Sequence, residues 1–581
     1  MPVITPQQLK AFYDVVVVGS GAAGGQMAYT LTMEGASVLM LEAGRNYEPA
    51  TETPMFQISA QAPLRAASTP DKTRGFYNAT VNGGWEIPGE PYSNVSSQPN
   101  EVFTWWRPRM LGGRTNHWER NSFRFGPYDF KPRSRDGLGF DWPFTYEEIA
   151  PYYDRAERLV GVFGESEGFE NSPDSPSGIL LPPPKPRLGE QLAQRRAKTL
   201  GISIVPIHRA VLTRKLDSRA IPPLLHPNNE NAQKILSDAM EARAACFWAT
   251  PCERGCSIKA NYQSPTVHLP PALATGKLDL LPHARAREVL IGNDGKASGI
   301  VFVDTLQGGE HRVSARVVVL AASSFESVRL LLNSRSHSFP DGIGNSGGLV
   351  GRHIMNTVGY SVTGQIPLLE NVPAHNEDGA GGGHVYAPWW LHREQLAGKL
   401  DFPRGYHIEF STGRQMPTAG IGADLGWRIE AGYGQKYKEE IRRFYGSQLT
   451  FFGRGEMVPN DKTFCEIDPE LKDRWGVPAL KFHWFWSDYE LHQAEHMRRT
   501  FTALIEAMGG VAKKSKDPAI TLPSVTHEVG GARMGADAKT SVTNAWGQLW
   551  EARNLFIADG ATFCSSPDKN PTLTIMALAW R

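Results

Sequence analysis

Tyr13-Asp14-Val15-Val16-Val17-Val18-Gly19-Ser20-Gly21-Ala22-Ala23-Gly24 carries the strongest structural signal in the chain. Its valines form a short β-branched run without polar alternation, the pattern of a strand buried on both faces of a parallel sheet. The run leads straight into a Gly-x-Gly-x-x-Gly turn, a helical stretch over 25–34 and a second strand over 37–41. A glycine-rich turn alone says little; after a buried strand and opening a helix, it specifies a βαβ dinucleotide unit. Gly19 permits the tight turn, Gly21 lets backbone approach a pyrophosphate, Gly24 allows close helix packing, and the helix N-terminus favours an anion. Glu42 ends the second strand, where its carboxylate can accept from both ribose hydroxyls and would repel a 2′-phosphate. FAD and NAD stay open; NADP is disfavoured.

Working outward, 316–320 reads as a further buried strand leading into a helix over 325–332. A fourth strand is expected at 554–558, with Pro571 opening a final helix. Both chain ends and the middle therefore contribute to one α/β domain of Rossmann type, predicted over 1–60, 100–135, 240–350 and 520–581. The intervening stretches, 60–100, 136–240 and 351–519, are assigned to a substrate domain and loops. Alternating runs over 350–410 and 447–486 predict that this α+β domain is built on an antiparallel sheet. Pro- and Ser-rich 172–188 and Gly-rich 376–384 read as loops.

Composition narrows the function. The 581 residues carry 61 Lys plus Arg against 60 Asp plus Glu, a net charge of +1, and no basic block. Nucleic acid is excluded as the main partner. No stretch reaches the ~20 apolar residues of a bilayer span, so no direct membrane insertion is expected. The first residues show no export signal, which points to the cytoplasm; export with a signal-bearing partner to the periplasm is the alternative.

Three further motifs follow in order: Leu111-Gly112-Gly113-Arg114-Thr115-Asn116-His117-Trp118, then His527-Glu528-Val529-Gly530-Gly531-Ala532-Arg533-Met534-Gly535, then 554–577 with Ala558-Asp559-Gly560 and Asn570-Pro571-Thr572-Leu573-Thr574. Together with the βαβ unit they resemble the glucose-methanol-choline (GMC) flavoprotein oxidoreductases, and the likeness spans nearly the whole chain. It implies FAD as cofactor, held by Gly19, Gly21, Gly24, Glu42, Gly113, Asn116, His117, Val289, Asp559, Gly560 and Thr572. It also implies His527 and Asn570 as the catalytic pair. The chemistry fits: alcohol oxidation needs a base for the hydroxyl proton while hydride leaves the same carbon, and histidine serves near neutral pH. The segment around His117 is similar to that of pyranose-oxidising members, some of which bond the matching histidine to the flavin and some of which do not; both states are open here.

Cys246, Cys252 and Cys256 crowd into 11 residues of a chain with only five cysteines. Thr250, Pro251 and Glu253 read as a helix cap, which places Cys252 and Cys256 on one helical face with Cys246 arriving from the loop before it. The resemblance implies a three-iron cluster on these cysteines; a disulfide or buried structural thiols are the alternatives. Cys465 and Cys564 read as ordinary buried residues.

The expected activity is FAD-dependent oxidation of a secondary hydroxyl of a pyranose sugar or glycoside, at C3, since the motifs look like those of glucoside 3-dehydrogenases and C-glycoside oxidases. A pyranose 2-oxidase type of reaction, another alcohol oxidase and, more remotely, a non-redox lyase are the rivals. If the cysteines hold a cluster, a small subunit and a cytochrome acceptor are expected partners; otherwise oxygen or a quinone accepts the electrons.

Overall fold

Tyr13–Val18 lies inside a seven-stranded sheet whose parallel part runs Leu278–Leu281, Val38–Leu41, Tyr13–Val18, Glu310–Leu320 and Leu555–Ile557. The computed structural model describes residues 2–52, 83–248, 252, 255–373, 382–389, 391–413, 425–514 and 526–581. The valines at 16 and 17 are fully buried, which is why the strand needs no polar face. The helix after the turn is Ala22–Met33, three residues earlier than the sequence suggests. Glycines 24 and 25 argue against helix by propensity, yet packing requires them. A Cβ on Gly24 would lie 1.9 Å from the Gly19 carbonyl oxygen, and one on Gly25 would lie 2.2 Å from Ser264 Oγ.

Glu310–Leu320 is twice as long as its buried run because it serves two pairings. Its first half pairs antiparallel with Ala297–Asp304, itself paired with Ala284–Ile291; its second half lies parallel to Tyr13–Val18.

A second sheet has six strands in the order Val511–Ala512, Val358–Gln365, Gln448–Gly455, Tyr406–Thr412, Val385–Ala387 and Val205–Pro206, with every pair antiparallel. One face carries the long helix Asp488–Ala507. Glycines make the close approach possible: a Cβ on Gly453 would meet Met497 Sδ at 2.3 Å, and one on Gly364 would meet Ile505 at 2.5 Å. Strand alternation then turns Arg454, and the neighbouring His407 and Glu409, to the opposite face.

The expectation of one antiparallel sheet from 350–410 and 447–486 is corrected in one respect. Phe464–Lys472 and Pro478–His483 form a hairpin that joins Ser93–Asn94 in a separate three-stranded sheet. It docks on the nucleotide side, where Arg329 of the helix Ser324–Asn333 donates to the Val477 carbonyl at 2.9 Å and the Pro478 carbonyl at 2.6 Å. Most of the Gly-rich 376–384 loop lies outside the described residues. Among those described, no helix is long and apolar enough to cross a membrane.

Candidate active site

A cavity of about 340 Å³ runs from the glycine-rich turn to the second sheet. At its nucleotide end Gly19 and Gly21 line the wall. Gly19 has φ +100°, and a Cβ there would lie 2.3 Å from the Ala321 carbonyl oxygen, whereas a Cβ on Gly21 would meet nothing within 4 Å. The turn is closed behind Gly19 and open before Gly21, as a pyrophosphate cradle requires. Glu42 is buried on the same wall. Its carboxylate accepts from Ser20 Oγ and from the Gly44 N–H at 2.7 Å, which leaves lone pairs for a ribose, and burial raises its pKa.

Gly113, His117, Asp559, Gly560 and Thr572 also line the cavity. Neither His117 nitrogen has a hydrogen-bond partner among the described residues, and the ring lies edge-on to Trp106 at 4.7 Å. Burial, helped by Arg120 and Arg114, holds its pKa well below the ordinary histidine value. A neutral, unpartnered imidazole at the cavity wall suits a bound aromatic cofactor. Asp559 is tied into the wall by the Ser323 N–H at 3.0 Å, Ser327 Oγ at 2.6 Å and the Ala561 N–H at 3.0 Å, and burial pushes its pKa up to about 6.

Three residues named for the cofactor stand off the wall. Asn116 lies behind it, with its amide donating to the Leu111 carbonyl at 2.8 Å and accepting from Gln263 at 3.3 Å, so it shapes the turn. Val289 sits farther along its strand, its N–H bonded to Ser334 Oγ at 2.8 Å; Ala284, Arg285 and Ala286 form the wall there. Gly24 acts through helix packing, as its spacing suggests.

His527 and Asn570 meet at the other end, with Asn570 Nδ2 at 3.3 Å from His527 Nε2. An amide nitrogen only donates, so Nε2 is the acceptor and the imidazole proton sits on Nδ1, directed to Thr357 Oγ1 at 2.9 Å. Burial lowers the His527 pKa to about 3, with Arg454 acting in the same direction and Glu409 opposing it. Asn570 Oδ1 is buried without a partner among the described residues. The site therefore presents an unprotonated base and a free acceptor side by side.

This arrangement is held from two directions. Arg114 grips Glu528 through both guanidinium nitrogens and donates to the Thr526 carbonyl at 2.8 Å, clamping the His117 segment to the His527 segment. Behind Asn570 runs a row of alternating charges, buried except for Arg454 at its cavity end. Arg454 Nε is 3.3 Å from Glu409, Glu409 is 3.3 Å from His407, His407 is 3.6 Å from Asp568, and Lys569 is 2.6 Å from Asp568 and 3.1 Å from Asp129. Asp129, Glu456 and Asp568 could offer one ion three oxygens within 4.8 Å. Lys569 already supplies the cation, and Asp129 with Asp568 hold it charged despite burial.

Comparison with known proteins decides the family. The N-terminal and C-terminal GMC oxidoreductase models match residues 228–354 and 459–579. The chain is 31% identical over 574 residues to the 2-methyl-1,2-propanediol dehydrogenase of Mycolicibacterium austroafricanum, covering 98% of this chain and 94% of that one. It belongs to the GMC oxidoreductases. It is also 28% identical to the fructose dehydrogenase large subunit of Gluconobacter japonicus (98% and 96% covered) and 23% identical to the C-glycoside 3-oxidase of Arthrobacter globiformis (98% and 94% covered). Pyridoxine 4-oxidase from Mesorbium loti shares the fold, with a TM-score of 0.59 at 16% identity over 98% of each chain. This is a family of FAD-binding enzymes, and the open cradle at Gly21, the Glu42 carboxylate and the unpartnered His117 fit that cofactor.

The cysteines of this GMC oxidoreductase need a correction. Cys252 and Cys256 do not share a helical face, because Gly255 between them takes φ +84°, a left-handed backbone that an α-helix does not hold. Thr250, Pro251 and Glu253 lie outside the described residues. The three thiols are unbridged. Each sulfur accepts a hydrogen bond: Cys246 from the Trp248 N–H at 3.3 Å, Cys256 from the Ala260 N–H at 3.3 Å and Cys252 from Arg209 at 3.7 Å. Arg120 joins this loop to the flavin side, donating to the Cys252 carbonyl at 2.8 Å and to the Thr115 and Asn116 carbonyls at 3.2 Å. Cys465 and Cys564 are buried.

Sequence reasoning missed Ser20, Asn121, Thr357, His407, Glu409 and Arg454. For His407 and Glu409 the signal is an alternation with Tyr406, Ile408 and Phe410 that looks identical to a solvent-facing strand. The others carry no local signal.

Proposed function

We propose that this GMC oxidoreductase oxidises a secondary hydroxyl of a pyranose sugar or glycoside, at C3, with His527 as base and Asn570 as its partner. The observation that carries the reading is the 3.3 Å contact of Asn570 with His527 Nε2 at the cavity wall. The substrate hydroxyl displaces the Asn570 amide from Nε2 and gives its proton there, and its oxygen keeps that amide as a donor. Thr357 takes the Nδ1 proton's hydrogen bond and so fixes the tautomer. A low pKa keeps Nε2 unprotonated until charge builds on the substrate oxygen, when transfer becomes favourable. Bound FAD supplies the hydride acceptor, so that the carbinol becomes a ketone with one proton left on His527.

Polar groups near this pair, Asn121, Glu409 and Arg454, together with the face of Trp118, suit a polyhydroxylated ring. The C3 assignment draws support from the Thr115–Trp118 motif and from the 23% likeness to a C-glycoside 3-oxidase. A small vicinal diol is the second reading, favoured by the 31% identical diol dehydrogenase. Anaerobic titration with methyl glycosides, monosaccharides and diols, read by flavin bleaching and product NMR, decides between them; no bleaching by any alcohol sinks both.

His117 is the residue that would bear a covalent flavin, and acid precipitation checks it: yellow pellet for a bond, yellow supernatant for none. Cys246, Cys252 and Cys256 would hold an iron–sulfur cluster, their N–H···S bonds and nearby Arg209 suiting thiolate ligands; bound, it would supply a one-electron carrier toward a cytochrome and small subunit. The name of the fructose dehydrogenase large subunit supports a multi-subunit arrangement. Iron analysis tests this, and an iron-free protein that reduces oxygen quickly would demote the thiols to structural residues.

A further inference from the structure

Glu409 and Arg454 pose a problem that fold stability does not solve. Desolvating a carboxylate and a guanidinium costs several kcal/mol per ion, and their attraction returns little beyond it. The pair nevertheless faces the cavity that holds His527 and Asn570, on neighbouring strands where His407 is in register with Arg454 and Glu409 with Phe452. The two Glu409 oxygens are treated differently. Oε1 is filled from behind by Asn121 Nδ2 at 2.5 Å and His407 Nε2 at 3.3 Å. Oε2 meets only Arg454 Nε at 3.3 Å among the described residues. Arg454 in turn spends Nη1 on the Gly453 carbonyl at 3.4 Å and sets its guanidinium 5.7 Å from the Phe452 ring centroid, while Nη2 makes no hydrogen bond among the described residues. One acceptor and one donor, both charged and both fixed, are left side by side on the wall.

We propose that Glu409 and Arg454, with Asn121 holding the Glu409 carboxylate from behind, form a subsite for a hydroxyl on the carbon next to the reacting carbinol, which makes a vicinal polyol the substrate class. The assignment rests on the oxidoreductase reading of His527 and Asn570. One neighbouring hydroxyl that donates to Glu409 Oε2 and accepts from Arg454 satisfies both free valences, whereas a monohydroxy alcohol can occupy the base but leaves the pair to water. Such a site rejects the analogue that lacks the hydroxyl more strongly than an apolar pocket discriminates by size. His407, pinned between Glu409 and Asp568, keeps the carboxylate aimed and charged.

The test compares trans-cyclohexane-1,2-diol with cyclohexanol, two ligands of one ring that differ by the flanking hydroxyl. Flavin reduction by FAD-loaded protein gives kcat/KM for each. Arg454 and Glu409 also act on the charge of His527, but that effect is common to both substrates and cancels in their ratio. Wild type should prefer the diol, and Arg454→Met and Glu409→Gln should each lower the diol-to-cyclohexanol ratio about 10- to 10²-fold, with Arg454→Lys in between. Equal losses on both substrates, or no wild-type preference, would overturn the subsite. Binding is followed separately by anaerobic calorimetry with methyl glucoside in a His527→Ala background, where turnover is slowed by about 10²-fold or more. Added Arg454→Met or Glu409→Gln should weaken binding about 10-fold or more, and unchanged binding would count against the proposal. Retained FAD and melting temperature confirm that each variant is folded. If no alcohol reduces the flavin while calorimetry still registers the Arg454 effect, the redox reading fails and the subsite stands.

Discussion

The two ends of the cavity are built in opposite ways. At the nucleotide end one local stretch, residues 19–42, supplies the cradle, and its parts are backbone and absent side chains: the left-handed Gly19, the open space before Gly21, the contact of Gly24 with Gly19. At the catalytic end the parts are side chains from segments far apart in sequence, around 114–121, 357, 407–409, 454, 526–528 and 568–572, held by buried charge pairs. A backbone cradle fails sterically and all at once. A side-chain assembly fails by degrees, one function at a time, so cofactor retention and turnover should be separable at one end and inseparable at the other.

Gly24→Val should have the largest effect. Its Cβ would lie 1.9 Å from a carbonyl oxygen, a backbone atom that cannot step aside, so folded yellow protein should not be recovered. FAD-loaded Gly24→Val in normal yield would break the comparison. His527→Ala should come next, with turnover down by about 10²-fold or more as the proton acceptor is lost. Flavin content should stay at wild-type level in the same preparation, measured by absorbance after denaturation. Lost flavin would mean that His527 belongs to cofactor binding instead.

Lys569→Met should show the catalytic end failing through its support. Removing the cation leaves Asp129 and Asp568 facing each other uncompensated, a destabilisation of about 3–5 kcal/mol that thermal melting would register. Turnover should fall further than the stability loss explains, because Lys569 adjoins Asn570. The smallest effect is one of pH. His527 has a folded pKa of about 3, below an ordinary histidine near 6.5, so its neutral form prevails through the physiological range. The kcat/KM profile should therefore lack an acid limb at pH 6–7, with loss of the base only below about pH 4. The sign for stability is the same: a depressed histidine pKa contributes stability in full above the unfolded value and loses it as pH falls toward the folded one. An acid limb centred near 6.5 would show that the imidazole is less desolvated than its surroundings here imply.

How much of this could be read from the chain differs between the two ends for the same reason. The βαβ unit was legible because a buried strand, a glycine-rich turn and Glu42 are contiguous, and each glycine has a steric task that spacing alone reveals. His527 and Asn570 were reachable only through motif resemblance, and nothing local to either residue says that they meet. Glu409 was hidden by its own regularity: a charged residue at alternate positions of Tyr406–Thr412 reads as a wet face, and only the long helix on the other side shows that both faces are covered. Asn116 and Val289 do not line the cavity, since a motif names a neighbourhood and cannot say which member of it turns toward the opening. The helix expected through Cys252 and Cys256 failed on Gly255, whose left-handed backbone outweighs a good capping sequence.

The central sheet has a consequence for synthesis. Val318–Leu320 is flanked by Tyr13–Val18 on one side and by Leu555–Ile557 on the other, and Asn570 and Thr572 follow later still. A chain leaving the ribosome can form its βαβ turn early, but the sheet stays one strand short, with an open edge, until residues 555–572 emerge. Cofactor capture is therefore tied to the synthesis of residues 555–572, and a chain cut short before them carries a finished phosphate turn with no enzyme around it.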